Sequence, residues 1–131
     1  MEHVCVVDDD PAIRLTVGEV LEDEGFAVEV LGDGVGLLER LQAAPEPVVV
    51  LLDLRMPHLD GIEVLAALAA DPPLAARHRC IVMTGAAGDW PAGVDALLRQ
   101  LRVPVVEKPF ALETLLGAVE VAARGLALDQ L

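Results

Sequence analysis

The stretch PVVVLLD, residues 47–53, decides the fold. Five consecutive β-branched or leucine residues with no polar interruption cannot be a strand with one wet face, which would alternate. Such a run fits a central strand of a parallel sheet, covered by helices on both sides. It ends abruptly at Asp53, a charge at the end of a buried element.

Outward from this run the same grammar repeats. HVCVV (residues 3–7) ends at Asp8, Asp9 and Asp10. FAVEVL (26–31), CIVMTG (80–85) and VPVVEKP (103–109) read as three further strands. Between them lie helical patterns. Asp10 and Pro11 form an N-cap followed by proline at the first helical position, and Ile13, Val17, Val20 and Leu21 give the apolar face, with Gly25 as the stop. A second helix is predicted over residues 34–44, and a third over 61–71, stopped by Pro72 and Pro73. A fourth is predicted over 90–101 and a last over 111–125. Five strands alternating with five helices predict an α/β fold, a doubly wound parallel sheet forming one domain.

In such a sheet ligands sit outside the carboxyl ends of the strands. The residues at those ends are Asp8 and Asp9, Asp53, Thr84 and Lys108. Three carboxylates gathered on one rim repel one another unless a cation neutralises them. A hard divalent ion with oxygen ligands is the chemical answer, and Mg²⁺ suits best, because it takes one or two carboxylates and keeps water for the rest.

Composition narrows the classes further. The 131 residues carry a formal net charge of −13, so a phosphate backbone or an anionic membrane surface is repelled; neither nucleic acid nor membrane is an expected partner. No apolar run reaches the roughly 18 residues of a membrane span, and the N-terminus lacks the basic-then-apolar pattern of a signal peptide, which makes a cytoplasmic location the default. His3, His58 and His78 have no zinc-ligand spacing. Cys5 and Cys80 lie in separate strand-like runs and are expected to stay free thiols.

The pieces VVDDDP, LLDLRMPHLDG, VMTG and VEKPF, in that order, resemble the response-regulator receiver domain, the phosphoacceptor module of two-component signalling. The resemblance covers nearly the whole chain and implies a flavodoxin-like sheet of order 2-1-3-4-5. It implies that Asp53 accepts a phosphoryl group from a sensor histidine kinase or a phosphotransfer protein. Asp9 would bind Mg²⁺ directly with Asp8 assisting, and the backbone carbonyl of Arg55 would add a ligand. Thr84 and Lys108 would contact the phosphoryl oxygens. Lys108–Pro109 would be cis, and Gly61 would allow a tight turn. Val105 stands where receivers commonly carry an aromatic switch residue, which points to output by a loop shift. Arg55 and Ala86 occupy the positions that tune phosphoryl lifetime. Trp90, just beyond the Thr84 loop, is expected to report that shift by fluorescence.

The resemblance further implies a signalling switch rather than an enzyme, limited to self-phosphorylation and self-dephosphorylation. A downstream protein partner, and a homodimer through the fourth helix, fifth strand and fifth helix, belong to the same expectation. Residues 1–131 would be the receiver alone with no effector domain, either a stand-alone regulator or phosphorelay intermediate, or a piece of a hybrid kinase or larger regulator. A protein-binding pseudo-receiver is a further alternative. An aspartate-nucleophile phosphohydrolase would show D-x-D, but the second aspartate is replaced by Arg55. A nucleotide or flavin carrier would show a glycine-rich loop after the first strand, and the aspartates stand there instead.

Overall fold

The computed structural model describes residues 2–54, 60–85 and 88–129. Its five strands are β1 (His3–Val7), β2 (Ala27–Leu31), β3 (Val48–Asp53), β4 (Arg79–Thr84) and β5 (Val105–Glu107). They form one parallel sheet in the order β2-β1-β3-β4-β5. All six residues of β3 are buried, as its unbroken apolar run requires.

Successive side chains of a strand point to opposite faces, and the core divides accordingly. Val4, Val6, Val49, Leu51, Ile81 and Met83 face one layer, made by α1 (Pro11–Asp23) and α6 (Leu112–Asp129) through Val17, Leu21, Leu115 and Val119. Cys5, Val7, Val50, Leu52 and Val82 face the other. That layer holds α2 (Leu37–Ala43), α3 (Gly61–Ala69), α4 (Pro72–Arg77) and α5 (Val94–Leu101).

Among the described residues there are six helices rather than the expected five. The additional one, α4, begins at the prolines that were expected only to end a helix. Proline is tolerated at the first helical position, and the Asp71 carboxylate caps the new helix by accepting from Leu74 N–H at 3.3 Å. Other boundaries shift for similar local reasons. The helices expected from residues 34 and 90 begin at Leu37 and Val94, after Gly36 and Gly93 adopt positive φ. The last helix runs through Gly125 to Asp129, so that glycine is no stop.

His78 is part of the scaffold. It is buried at the foot of β4, where Nδ1 accepts from Val48 N–H at 3.0 Å and Nε2 donates to the Leu41 carbonyl at 3.0 Å. Burial lowers its pKa below the ordinary histidine value, outweighing the bond to Leu41. Cys5 and Cys80 are both free and share a partner in register, Val50, on the strand between them. Two strand spacings separate them, too far for a bridge. No described helix is long and apolar enough to cross a membrane.

Candidate functional site

Because every strand runs the same way, every C-terminal end lies on one edge of the sheet. Asp8 and Asp9 follow β1, Asp53 closes β3, Thr84 closes β4, and Lys108 follows β5. The structure brings the acids together: one oxygen from each of Asp8, Asp9 and Asp53 lies within 4.8 Å of the others. Asp8 is fully buried, Asp53 is 7 % exposed and Thr84 2 %, while Asp9 is exposed.

Each side chain has a local reason for its place. Asp10 leaves the rim to cap α1, its carboxylate accepting from Ala12 N–H at 2.9 Å. Asp8 Oδ1 accepts from the Asp10 N–H at 2.9 Å, and the Asp8 N–H donates to the Leu31 carbonyl at 3.1 Å. Lys108 is delivered from the opposite side. Its N–H donates to the Thr84 carbonyl at 2.8 Å, and the peptide it forms with Pro109 is cis. Its ammonium donates to Asp8 Oδ2 at 2.7 Å and to Asp53 Oδ2 at 3.2 Å. Burial pulls the Lys108 pKa down, but the bond to Asp8 and the charges of Asp53 and Asp8 outweigh it, leaving the ammonium above the ordinary lysine value.

The loop whose tight turn was expected of Gly61 lies outside the described residues; what the structure shows at Gly61 is a close approach of backbones. Gly61 is the first residue of α3, and a Cβ there would lie 2.5 Å from the Asp53 carbonyl oxygen and 2.7 Å from Leu54 Cα. Its N–H donates to the Leu54 carbonyl at 3.1 Å. The missing side chain lets α3 rest directly on the backbone that carries Asp53.

Three carboxylates against one ammonium leave the rim with excess negative charge. All the side-chain donors of the acid cluster are hard oxygens, two of them on largely buried residues. That set fits Mg²⁺, which favours carboxylate oxygens and retains water on its open side. The expected carbonyl of Arg55 and the side chain of Ala86 lie outside the described residues. Val105 is half-buried in register with Val82 and packs against the core. It also lines a groove of about 900 Å³ between α5, β5 and α6, together with Trp90, Leu98, Ala118 and Val121.

Sequence reasoning missed Arg14. Its Nη1 donates to the Asp8 carbonyl at 2.7 Å. The signal was its place in the first turns of α1, since helical side chains lean back toward the N-terminus and so toward the acids.

A family model described as response regulator receiver domain matches residues 4–120. The chain is 36% identical over 122 residues to the transcriptional regulatory protein FixJ of Bradyrhizobium diazoefficiens, covering 93% of this chain and 57% of that one. It is 37% identical over 131 residues to the response regulator MprA of Mycobacterium ulcerans, covering 97% of this chain and 52% of that one. The chain thus spans little more than half the length of either relative. Among solved structures, a CheY-like response regulator receiver domain protein from Methanospirillum hungatei superposes with a TM-score of 0.76 at 27% identity, covering 98% of this chain and 97% of that one.

Proposed function

The chain belongs to the response regulator receiver domain family, and from that premise we propose that it is a Mg²⁺-dependent phosphorylation switch with Asp53 as the phosphoacceptor. The observation that carries the proposal is the convergence of Asp8, Asp9 and Asp53 oxygens within 4.8 Å, with the Lys108 ammonium 3.2 Å from Asp53.

Asp8, Asp9 and Asp53 would hold the Mg²⁺, joined by the Arg55 carbonyl. Bound there, the ion supplies positive charge that offsets the repulsion between an anionic nucleophile and an anionic phosphoryl group. The protein supplies the rest. Lys108 holds Asp53 through Oδ2, and its raised pKa keeps it an ammonium through neutral pH. An Asp53 carboxylate oxygen attacks phosphorus in line, the P–N bond to a donor phosphohistidine breaks, and the electron pair stays on the imidazole nitrogen. The product is an aspartyl phosphate on Asp53. Lys108 and the Thr84 hydroxyl then meet the new phosphoryl oxygens, which carry roughly −1.5 to −2 charge. Recruiting Thr84 and Lys108 pulls on the ends of β4 and β5, and so on the groove lined by Val105 and Trp90.

In this reading residues 1–131 form one phosphoacceptor unit of the cytoplasm that is loaded by a sensor histidine kinase or a phosphotransfer protein. It is read by a downstream protein or by a second copy at the α5-β5-α6 face. It catalyses only its own phosphorylation and dephosphorylation. Incubation with acetyl phosphate and Mg²⁺ tests the proposal by intact mass. Wild type should gain one phosphoryl group and Asp53→Asn none; equal labelling of the two would overturn it.

A further inference from the structure

Arg14 is the first cation after the three aspartates, and it occupies the fourth position of α1. Its guanidinium lies back over the helix start and donates to the Asp8 carbonyl at 2.7 Å. Gly32, just after β2, lies beside it: a Cβ there would meet Nη1 at 3.4 Å, an ordinary van der Waals contact. Arg14 therefore ties α1 to the end of β1 and passes beside the end of β2.

The contact matters because of what the Asp8 carbonyl belongs to. It is one side of the peptide plane that leads into Asp9. Asp8 is itself fixed by Leu31, Asp10 and Lys108. Asp9 is exposed, and among the described residues no hydrogen bond holds its carboxylate, yet an oxygen of it lies within 4.8 Å of Asp8 and Asp53. Of three carboxylates that repel one another, the exposed one has the easiest escape into water. The orientation of the Asp8–Asp9 peptide is what keeps it on the rim.

Resting on the metal-dependent reading above, we infer that Arg14 is a positioning residue. By fixing the Asp8–Asp9 peptide it holds the Asp9 carboxylate in place for Mg²⁺. The sign of its effect separates this from plain electrostatics. A guanidinium near a cation site repels the cation, so charge alone predicts that removing Arg14 tightens Mg²⁺ binding. Positioning predicts the reverse.

The test is a MgCl₂ titration of the full chain followed by amide chemical shifts, for wild type, Arg14→Ala and Arg14→Lys. Partners that orient metal ligands cost about 10–100-fold in affinity when removed, so Arg14→Ala should bind roughly tenfold more weakly. Arg14→Lys keeps a long side chain ending in a donor and should bind Mg²⁺ more tightly than Arg14→Ala, a rescue that charge repulsion alone would not give. The same spectra report whether each variant is folded. Unchanged or tighter binding in Arg14→Ala, with wild type responding normally, sinks this inference alone. A wild-type chain blind to Mg²⁺ sinks the metal-dependent reading and the inference with it.

Discussion

Replacing Lys108 by methionine keeps much of the aliphatic stem and removes the charge that bridges Asp8 and Asp53. The Lys108 side chain is 22 % exposed, that of Asp8 fully buried and that of Asp53 10 % exposed, so water can do little to replace the ammonium. Breaking a buried ion pair from one side costs about 3–5 kcal/mol, because the remaining charge is stranded. The pair sits at the rim, with Asp9 beside it on solvent, which puts the expected loss at the lower end, about 3 kcal/mol. For a domain of this size that corresponds to a fall in Tm of roughly 10 °C. Two further results follow from the same geometry. Lys108→Met should bind Mg²⁺ more tightly than wild type, so its deficit should narrow as MgCl₂ is added. Combining Lys108→Met with Asp8→Asn should cost less than the sum of the single changes, by about 1–3 kcal/mol. Thermal and urea melts of the four proteins, with and without Mg²⁺, decide the matter. The contribution should also be flat through neutral pH. A raised lysine pKa stabilises the fold below the unfolded value and is lost only as pH rises through the folded one. If Lys108→Met melts with wild type and shows no coupling to Asp8, the reasoning about the rim is wrong.

Gly61→Ala sets a methyl against two backbone atoms that cannot swing aside; a loss of about 1–3 kcal/mol in urea melts is expected, with slower labelling of Asp53 by acetyl phosphate. Lowering the pH should expose the His78 contribution. Its folded pKa is depressed by burial, so the unfolded chain binds the proton more readily, and stability falls as pH drops below about 6.5. His78→Leu should flatten that part of the pH profile while costing about 1–3 kcal/mol at neutral pH, since the Val48 N–H loses its acceptor; an unchanged slope would contradict the assignment. Burial raises both Cys5 and Cys80 to about 12. Cys5, fully buried, should therefore resist alkylation at pH 8 in the folded protein, and the half-buried Cys80 should react more slowly than a free thiol; both should alkylate once the chain is unfolded without reductant.

The sheet was legible because one run, residues 47–53, admits a single physical reading, and the strand-end rule then placed Asp8, Asp9, Asp53, Thr84 and Lys108 on a common edge. Helix boundaries were less legible where one residue type serves two purposes. Asp71–Pro72 starts α4 by the same cap grammar as Asp10–Pro11, yet a proline pair after an apolar helix also reads as a stop. Gly36 and Gly93 precede helices, whereas Gly125 sits inside one. Individual partners away from the rim were not legible. Nothing near Gly61 announces that α3 must touch the Asp53 backbone, and nothing near His78 names Val48 or Leu41 as partners. Those facts arise only when the chain is closed into layers.

In the proposed function a single carboxylate, that of Asp53, receives the phosphoryl group. An acyl phosphate is reduced by borohydride to the alcohol, which would convert aspartate 53 to homoserine. Treating the acetyl-phosphate-labelled protein with borohydride and sequencing its peptides by mass spectrometry reads the modified position directly. Homoserine at position 53, dependent on Mg²⁺, is the predicted result; homoserine at position 8 or 9, or nowhere, would contradict it.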